Sequence, residues 1–205
     1  MLRKSALERS AILDSDEMGP VAAKSYPGQH LIDGKMRPAE RAKQELDYGR
    51  RGKGYVFGAL WETTGMCSTQ CYTRRTKTNF LDYLCWVDGQ LPADLERVYA
   101  IMDNLDAHHS DDLLFFLWQH PRWEFVYQPR YAAYLNLIEP WWKTLRSLAL
   151  KGEKFENWQE IVQAVEKATQ YWNDHKHPFV WGRRRRHRPL RSSSAFSYQV
   201  KVVRI

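Results

Sequence analysis

Arg9–Asp16 reads RSAILDSD, a short apolar run, Ala11-Ile12-Leu13, that ends in acids. Such a run is expected as a buried strand leaving a sheet into a polar mouth. Val98–Met102 repeats the pattern and ends in Asp103. In open α/β sheets, ligands gather at the carboxyl ends of strands. If these two strands are neighbours, Asp16 and Asp103 meet there. Like charges brought that close repel and raise one pKa unless a cation neutralises them. A hard divalent cation such as Mg²⁺, which prefers oxygen ligands, answers that need.

Working outward, Met18-Gly19-Pro20 reads as a turn, and Val21–Tyr26 as a candidate for a further strand. Pro27 to Gly54 is polar, rich in Gly, Arg and Lys, and has no period; a stretch of that length is usually functional. Tyr55–Thr63 and Met66–Thr73 flank Thr64-Gly65 as a hairpin. Lys77–Val87 places Phe80, Leu81, Leu84 and Val87 at helical spacing. A helix over Asp111–His120, a strand over Trp123–Tyr127 and helices over Asn136–Leu150 and Asn157–Trp172 follow, with Gly152 as a stop between the last two. The order is strand, strand, strand, helix, strand, helix, strand, helix, helix. That is α/β, a mixed sheet flanked by helices.

Glu139 opens the Asn136–Leu150 helix, where Pro140 is tolerated because first-turn N–H groups lack intrahelical partners. At ~100° per residue, Leu137, Trp141, Leu145 and Leu148 share the packing face. Glu139 falls on the other side, in line with Trp142, Lys143 and Arg146. A glutamate there reaches one methylene further than an aspartate, which suits a ligand supplied from beside the sheet.

Three acidic segments now stand in order: Asp16-Glu17-Met18-Gly19-Pro20, then Ile101-Met102-Asp103-Asn104-Leu105-Asp106-Ala107-His108, then Tyr134-Leu135-Asn136-Leu137-Ile138-Glu139-Pro140-Trp141-Trp142. Between Asp16 and Asp103 lie 86 residues, and between Asp103 and Glu139 lie 35. The chain resembles the catalytic domain of DDE transposases of the bacterial insertion-sequence type in the mariner-like superfamily. The family patterns are roughly DExG, a hydrophobic run ending in DN with His five positions after the Asp, and LNxIE followed by Trp. The resemblance spans about residues 9 to 190.

That resemblance implies a ribonuclease-H-like fold. It implies catalytic and metal-ligating roles for Asp16, Asp103 and Glu139, which would hold two Mg²⁺ (or Mn²⁺) ions. It implies strand cleavage at transposon ends and strand transfer into target DNA, at a TA dinucleotide. Around the acids it places Glu17, Asn104, His108, Asn136 and Trp142 as supporting residues. Asp14, on the same strand face as Asp16, is the alternative ligand, and the DExG match favours Asp16. Trp142 could stack on a base or brace an acid.

Charge is unevenly placed. Of 31 basic residues nine lie between His175 and Ile205, where there is no acid; the other 174 residues carry 22 basic against 24 acidic. A near-neutral globule with a cationic tail implies a polyanionic partner, most often nucleic acid. Arg183, Arg184, Arg185, Arg186 and Arg188 are the tail's phosphate contacts on this reading, with a merely solvated tail as the bland alternative. Arg74, Arg75, Lys77, Lys143 and Arg146 are expected to extend the same positive path. The expected layout is a residual linker over 1–8, a catalytic domain over 9–176 and a basic tail over 177–205.

Full transposases of this type carry helix-turn-helix modules ahead of the catalytic domain. Only about ten residues precede the first strand here, so the expected partners are DNA, a second copy as homodimer, and a separately encoded helix-turn-helix part. Catalytic silence, with the tail alone binding DNA, is the competing expectation; a nuclease of RNA–DNA hybrids and a glycosidase-like acid pair are weaker ones. No apolar run reaches the ~18 residues of a membrane span, and the basic start lacks an apolar signal core. Cys67, Cys71 and Cys85 make an odd count, against a disulfide framework, and form no CxxC pair for zinc. The expected location is therefore the cytoplasm, at the nucleoid.

Overall fold

A computed structural model describes residues 9–26, 51–103, 111–129 and 136–177. Its elements are β1 (Ser10–Ala22), β2 (Lys53–Trp61), β3 (Met66–Tyr72), α1 (Lys77–Gln90), β4 (Arg97–Met102), α2 (Asp111–Gln119), β5 (Trp123–Tyr127), α3 (Ile138–Ala149) and α4 (Trp158–Asp174). One five-stranded sheet runs β3-β2-β1-β4-β5. The hairpin pairs antiparallel with itself and with β1, whereas β1, β4 and β5 run parallel. This is the mixed sheet expected, with β1 at its centre and β4 beside it.

Alternation of side chains along the strands sends two apolar sets to opposite faces. Ala11, Leu13, Phe57, Ala59, Val98, Ala100 and Met102 pack against Phe80, Tyr83, Leu84 and Val87 of α1 and Leu113 and Phe116 of α2. Met18, Val56, Leu60 and Cys67 pack against α3 and α4, through Ile138, Trp141, Trp142, Leu145, Ile161 and Val165. The result is a three-layer α/β/α sandwich.

Local chemistry sets the helix starts. Thr76 caps α1, its side chain accepting from Asn79 N at 3.2 Å. Asn157 caps α4 by accepting from Glu160 N at 3.0 Å, and Glu160 reaches back to Glu156 N at 2.8 Å. At the opposite edge Asp88 of α1 is held by Arg122, whose Nη2 donates at 2.6 Å, and by Trp123 Nε1, also at 2.6 Å.

Three expectations need correction. Met18-Gly19-Pro20 is not a turn between two strands: β1 continues to Ala22, with a register irregularity between Met18 and Val21. A proline cannot donate to the ladder, and a bulge lets the strand run past it. The excursion after Pro27 ends earlier than Gly54, because β2 begins at Lys53; positions 27–50 lie outside the described residues. On α1 the buried set contains Tyr83 rather than Leu81, because the Tyr83 hydroxyl finds Ser68 O at 2.9 Å inside the core.

Candidate active site

The β1–β4 register sets Asp14 opposite Ile101. Carried two residues on along parallel strands, it brings Asp16 beside Asp103, on the face covered by α3. Glu139 lies in the first turn of α3, where the helix dipole favours a carboxylate. Burial holds the Asp16 carboxyl up to about 7; its own neighbour's amide, Glu17 N–H, works against the shift, and the charges of Glu17, Glu139 and Asp103 add to it. The three predicted acids therefore share one electrostatic neighbourhood. They do not close into a single chelating shell: among the described residues no three His, Cys, Asp or Glu side chains stand close enough to hold a metal ion. The donor chemistry, all oxygen and crowded enough to protonate Asp16 near neutrality, fits a hard divalent cation.

The entry of α3 is fastened to β1 just below this cluster. Asn136 Nδ2 donates to Ser15 O at 3.1 Å, and Asn136 Oδ1 accepts from Ile138 N at 3.3 Å. Asp14 Oδ1 accepts from Leu137 N at 3.2 Å. Asp14 is wholly buried, its Oδ2 has no hydrogen-bond partner among the described residues, and burial with the nearby Glu62 carboxyl holds it up to about 7.

Trp142 is where the helical wheel misleads. It was expected beside Glu139 on the outer side, yet it is 3% exposed and belongs to the core. Leu148, expected in the core, is 43% exposed. The buried set of α3 is Ile138, Trp141, Trp142, Leu145 and Ala149, which turns the packing face toward Trp142. The Trp142 indole N–H donates to Asp16 Oδ2 at 3.4 Å, so it braces the acid and is too buried to stack on a base. Room for the indole comes from Gly58, the β2 partner of Asp16: a Cβ there would stand 2.3 Å from Trp142 Cη2. Gly58 was missed in the sequence; its signal is a glycine inside a run of strand formers.

The other predicted residues divide. Glu17 alternates to the α1 face, and its charge is felt by Tyr83. Lys143 and Arg146 are exposed along α3, and Arg146 Nε–H donates to Met18 Sδ at 3.2 Å. Arg74, Arg75 and Lys77 are exposed past the end of edge strand β3, two strands over from Asp16; Arg75 stands over the Tyr55 ring at 5.9 Å. Asn104, His108, Arg183, Arg184, Arg185, Arg186 and Arg188 lie outside the described residues.

A mixed sheet with one acid inside its central strand β1, a second just past the neighbouring strand β4 and a third in the first turn of α3 defines a nucleic-acid-cutting class, and the chain belongs to the DDE superfamily endonucleases, whose family description matches residues 22–162. That match takes in Asp103 and Glu139 and begins after Asp16. Over 126 residues the chain is 25% identical to the insertion element IS630 uncharacterized 39 kDa protein of Shigella sonnei, covering 60% of this chain and 36% of that protein. It thus spans about a third of that relative's length. Among solved structures, the Mos1 strand transfer complex superposes with a TM-score of 0.55 at 14% identity, covering 83% of this chain and 54% of that one. The Mos1 mariner paired end complex with Mn gives 0.53 at 14% identity, covering 81% and 54%. These likenesses establish the ribonuclease-H-like fold. Among the described residues no helix is long and apolar enough to cross a membrane.

Proposed function

We propose that the chain is the catalytic domain of an insertion-sequence transposase, cutting DNA strands and joining them to a target by in-line attack on phosphodiesters. Asp16, Asp103 and Glu139 are its catalytic carboxylates. The observation that carries this reading is the β1–β4 register, which sets Asp16 beside Asp103 on the face covered by α3, with Glu139 in the first turn of that helix. Acids whose charges act on one another from a central strand, its neighbour and an overlying helix suit a shared divalent cation. Asp16 is favoured over Asp14 because Asp14 is wholly buried and occupied with the α3 backbone.

The three carboxylates would hold Mg²⁺ or Mn²⁺, the latter present in the solved Mos1 paired end complex. Bound there, two such ions would lower the pKa of the attacking hydroxyl and stabilise the leaving oxygen. The protein's own residues do the positioning. Trp142 fixes the Asp16 rotamer from above, Asn136 and Asp14 fix where α3 begins, and that beginning carries Glu139. Lys143 and Arg146, on the outer side of α3, attract the DNA backbone. The basic tail, Arg183 to Arg188, adds further phosphate contacts, and a second copy and a separately encoded end-recognition module complete the working assembly.

The deciding experiment is nicking of supercoiled DNA with Mg²⁺ or Mn²⁺. The native chain is compared with Asp16→Asn, Asp103→Asn and Glu139→Gln. Loss of nicking in all three, with folding kept, supports the reading. Equal nicking in all four proteins removes it, and DNA binding without nicking in any of them selects the silent, DNA-binding alternative.

A further inference from the structure

A second site lies at the other end of α3. A cleft of about 340 Å³ is lined by Pro20, Val21, Lys24, Tyr26, Arg146, Leu150 and Lys151. Three of those side chains are cationic and none is acidic. A cleft lined by one sign of charge concentrates anionic groups.

The cleft is built rather than incidental. Its Lys24–Tyr26 side is stitched to Gly152–Phe155, the segment that follows Leu150 and Lys151, by backbone hydrogen bonds: Tyr26 N to Glu153 O at 2.8 Å, Gly152 N to Tyr26 O at 3.0 Å and Phe155 N to Lys24 O at 3.2 Å. Buried Val21 and Leu150 form the floor. The Lys24 ammonium is steered over the Tyr26 ring, 5.5 Å from its centroid, and the Tyr26 hydroxyl is spent on Ala22 O at 2.7 Å. Arg146 is anchored by Nε on Met18 Sδ, and its terminal nitrogens have no partner among the described residues. Lys151 is exposed, and its ammonium likewise has no partner among them.

Arg146 follows Glu139 by seven residues, two helical turns or ~10 Å along α3, on nearly the same face, with Lys143 between them. Successive phosphates of a strand stand further apart than the ~3.4 Å axial rise per base pair, because the backbone winds about the axis, so that length spans about one or two phosphates. We infer that this cleft is a phosphodiester-binding site, gripping the DNA backbone about one or two phosphates from the one attacked at the acids. The inference rests on the function proposed above and adds to it the register in which the strand lies.

The test measures binding of the full chain to a short duplex by fluorescence anisotropy over a salt series. The native chain is compared with Arg146→Gln/Lys151→Gln, both exposed positions that leave the core intact, and with the same double change plus Lys24→Gln. Each lost phosphate contact lowers the slope of log affinity against log salt by about 0.9. The double variant is expected to lose about 1 to 2 from the slope and roughly tenfold in affinity at moderate salt. A duplex with neutral methylphosphonates one and two steps from the attacked phosphate should weaken native binding similarly and weaken the double variant no further. An unchanged slope in both variants, while the native chain binds and nicks DNA, overturns the cleft and the Arg146 contact and leaves the catalytic role of the three acids standing. A native chain that neither binds nor nicks DNA overturns both.

Discussion

The indole N–H of Trp142 donates to Asp16 Oδ2 at 3.4 Å, and the indole reaches it only because the β2 residue paired with Asp16 is Gly58. An aromatic plug on a helix thus braces an acid on a strand through the gap left by a missing side chain.

Replacing Trp142 by phenylalanine removes that N–H and part of the packing. A hydrogen bond of this length contributes little to folding, at most about 0.5–1 kcal/mol, so the variant should stay folded with a modest fall in Tm. Nicking should drop by about tenfold if the brace positions Asp16, roughly 1.4 kcal/mol of transition-state stabilisation. Unchanged nicking with a folded Trp142→Phe protein would show the brace to be packing only. Gly58→Ala should be harsher, since its Cβ meets both Trp142 and Ile138. A loss of about 1–3 kcal/mol is expected from overpacking, read by chemical denaturation.

Asp16 gives a pH dependence of a definite sign. Its folded pKa, about 7, is above the ordinary value of 3.8. The folded chain therefore holds the proton more tightly than the unfolded one across pH 4 to 7. Stability falls as pH rises through that window and is lowest above about 7, where the buried carboxylate must stay charged. Asp16→Asn should raise stability by about 1–3 kcal/mol at pH 8 and do little at pH 4. Urea midpoints at the two pH values check this; an equal effect at both would refute the raised pKa. Mn²⁺ should stabilise the native chain at pH 8 more than at pH 5, because protons compete for the same oxygens.

Asn136→Ala should loosen α3 where it leaves β1. Ser15 O loses its donor and Ile138 N its acceptor in a buried place, at a cost of about 1–3 kcal/mol. Because Glu139 rides on that first turn, nicking should fall further than the stability loss explains. Hydrogen exchange at Leu137 and Ile138 should quicken while the amides of β2 and β3 keep their protection.

Asp88 offers a control far from the acids. Burial works to raise its pKa, but the hydrogen bonds from Trp123 and Arg122, with the Arg122 and His120 charges, bring it below the ordinary value. The stability it supplies is present above the unfolded pKa, about 4, and is lost as pH falls below it. Asp88→Ala should destabilise by about 2–4 kcal/mol at pH 7, leaving Arg122 and Trp123 Nε1 without their acceptor, and should leave the nicking of the folded fraction unchanged.

Much of this fold was legible before any coordinates. Trp123–Tyr127 has the bounds expected for it, and α2, α3 and α4 differ from expectation by a residue or two, because their apolar spacing or caps are local signals. The continuation of β1 through Gly19-Pro20 was not legible: pairing with β2 supplies the support that a local reading of Met-Gly-Pro lacks. The acids were found from their motifs, since nothing in spacing alone brings positions 16, 103 and 139 together. Trp142 was misplaced because a helical wheel cannot know that the sheet opposite contains a glycine. The cleft at Lys24 and Lys151 escaped notice because its walls meet only through the backbone bonds between two distant segments.

The sheet has two hollows on the α3–α4 side. Gly58 lies under Trp142, and Gly54 lies under Trp158, where a Cβ would stand 2.3 Å from Cζ2. Each hollow and its indole form a lock and key, so neither member can drift alone. Any side chain at position 58 would push against the indole at 142 and, through it, against the grip on the first acid.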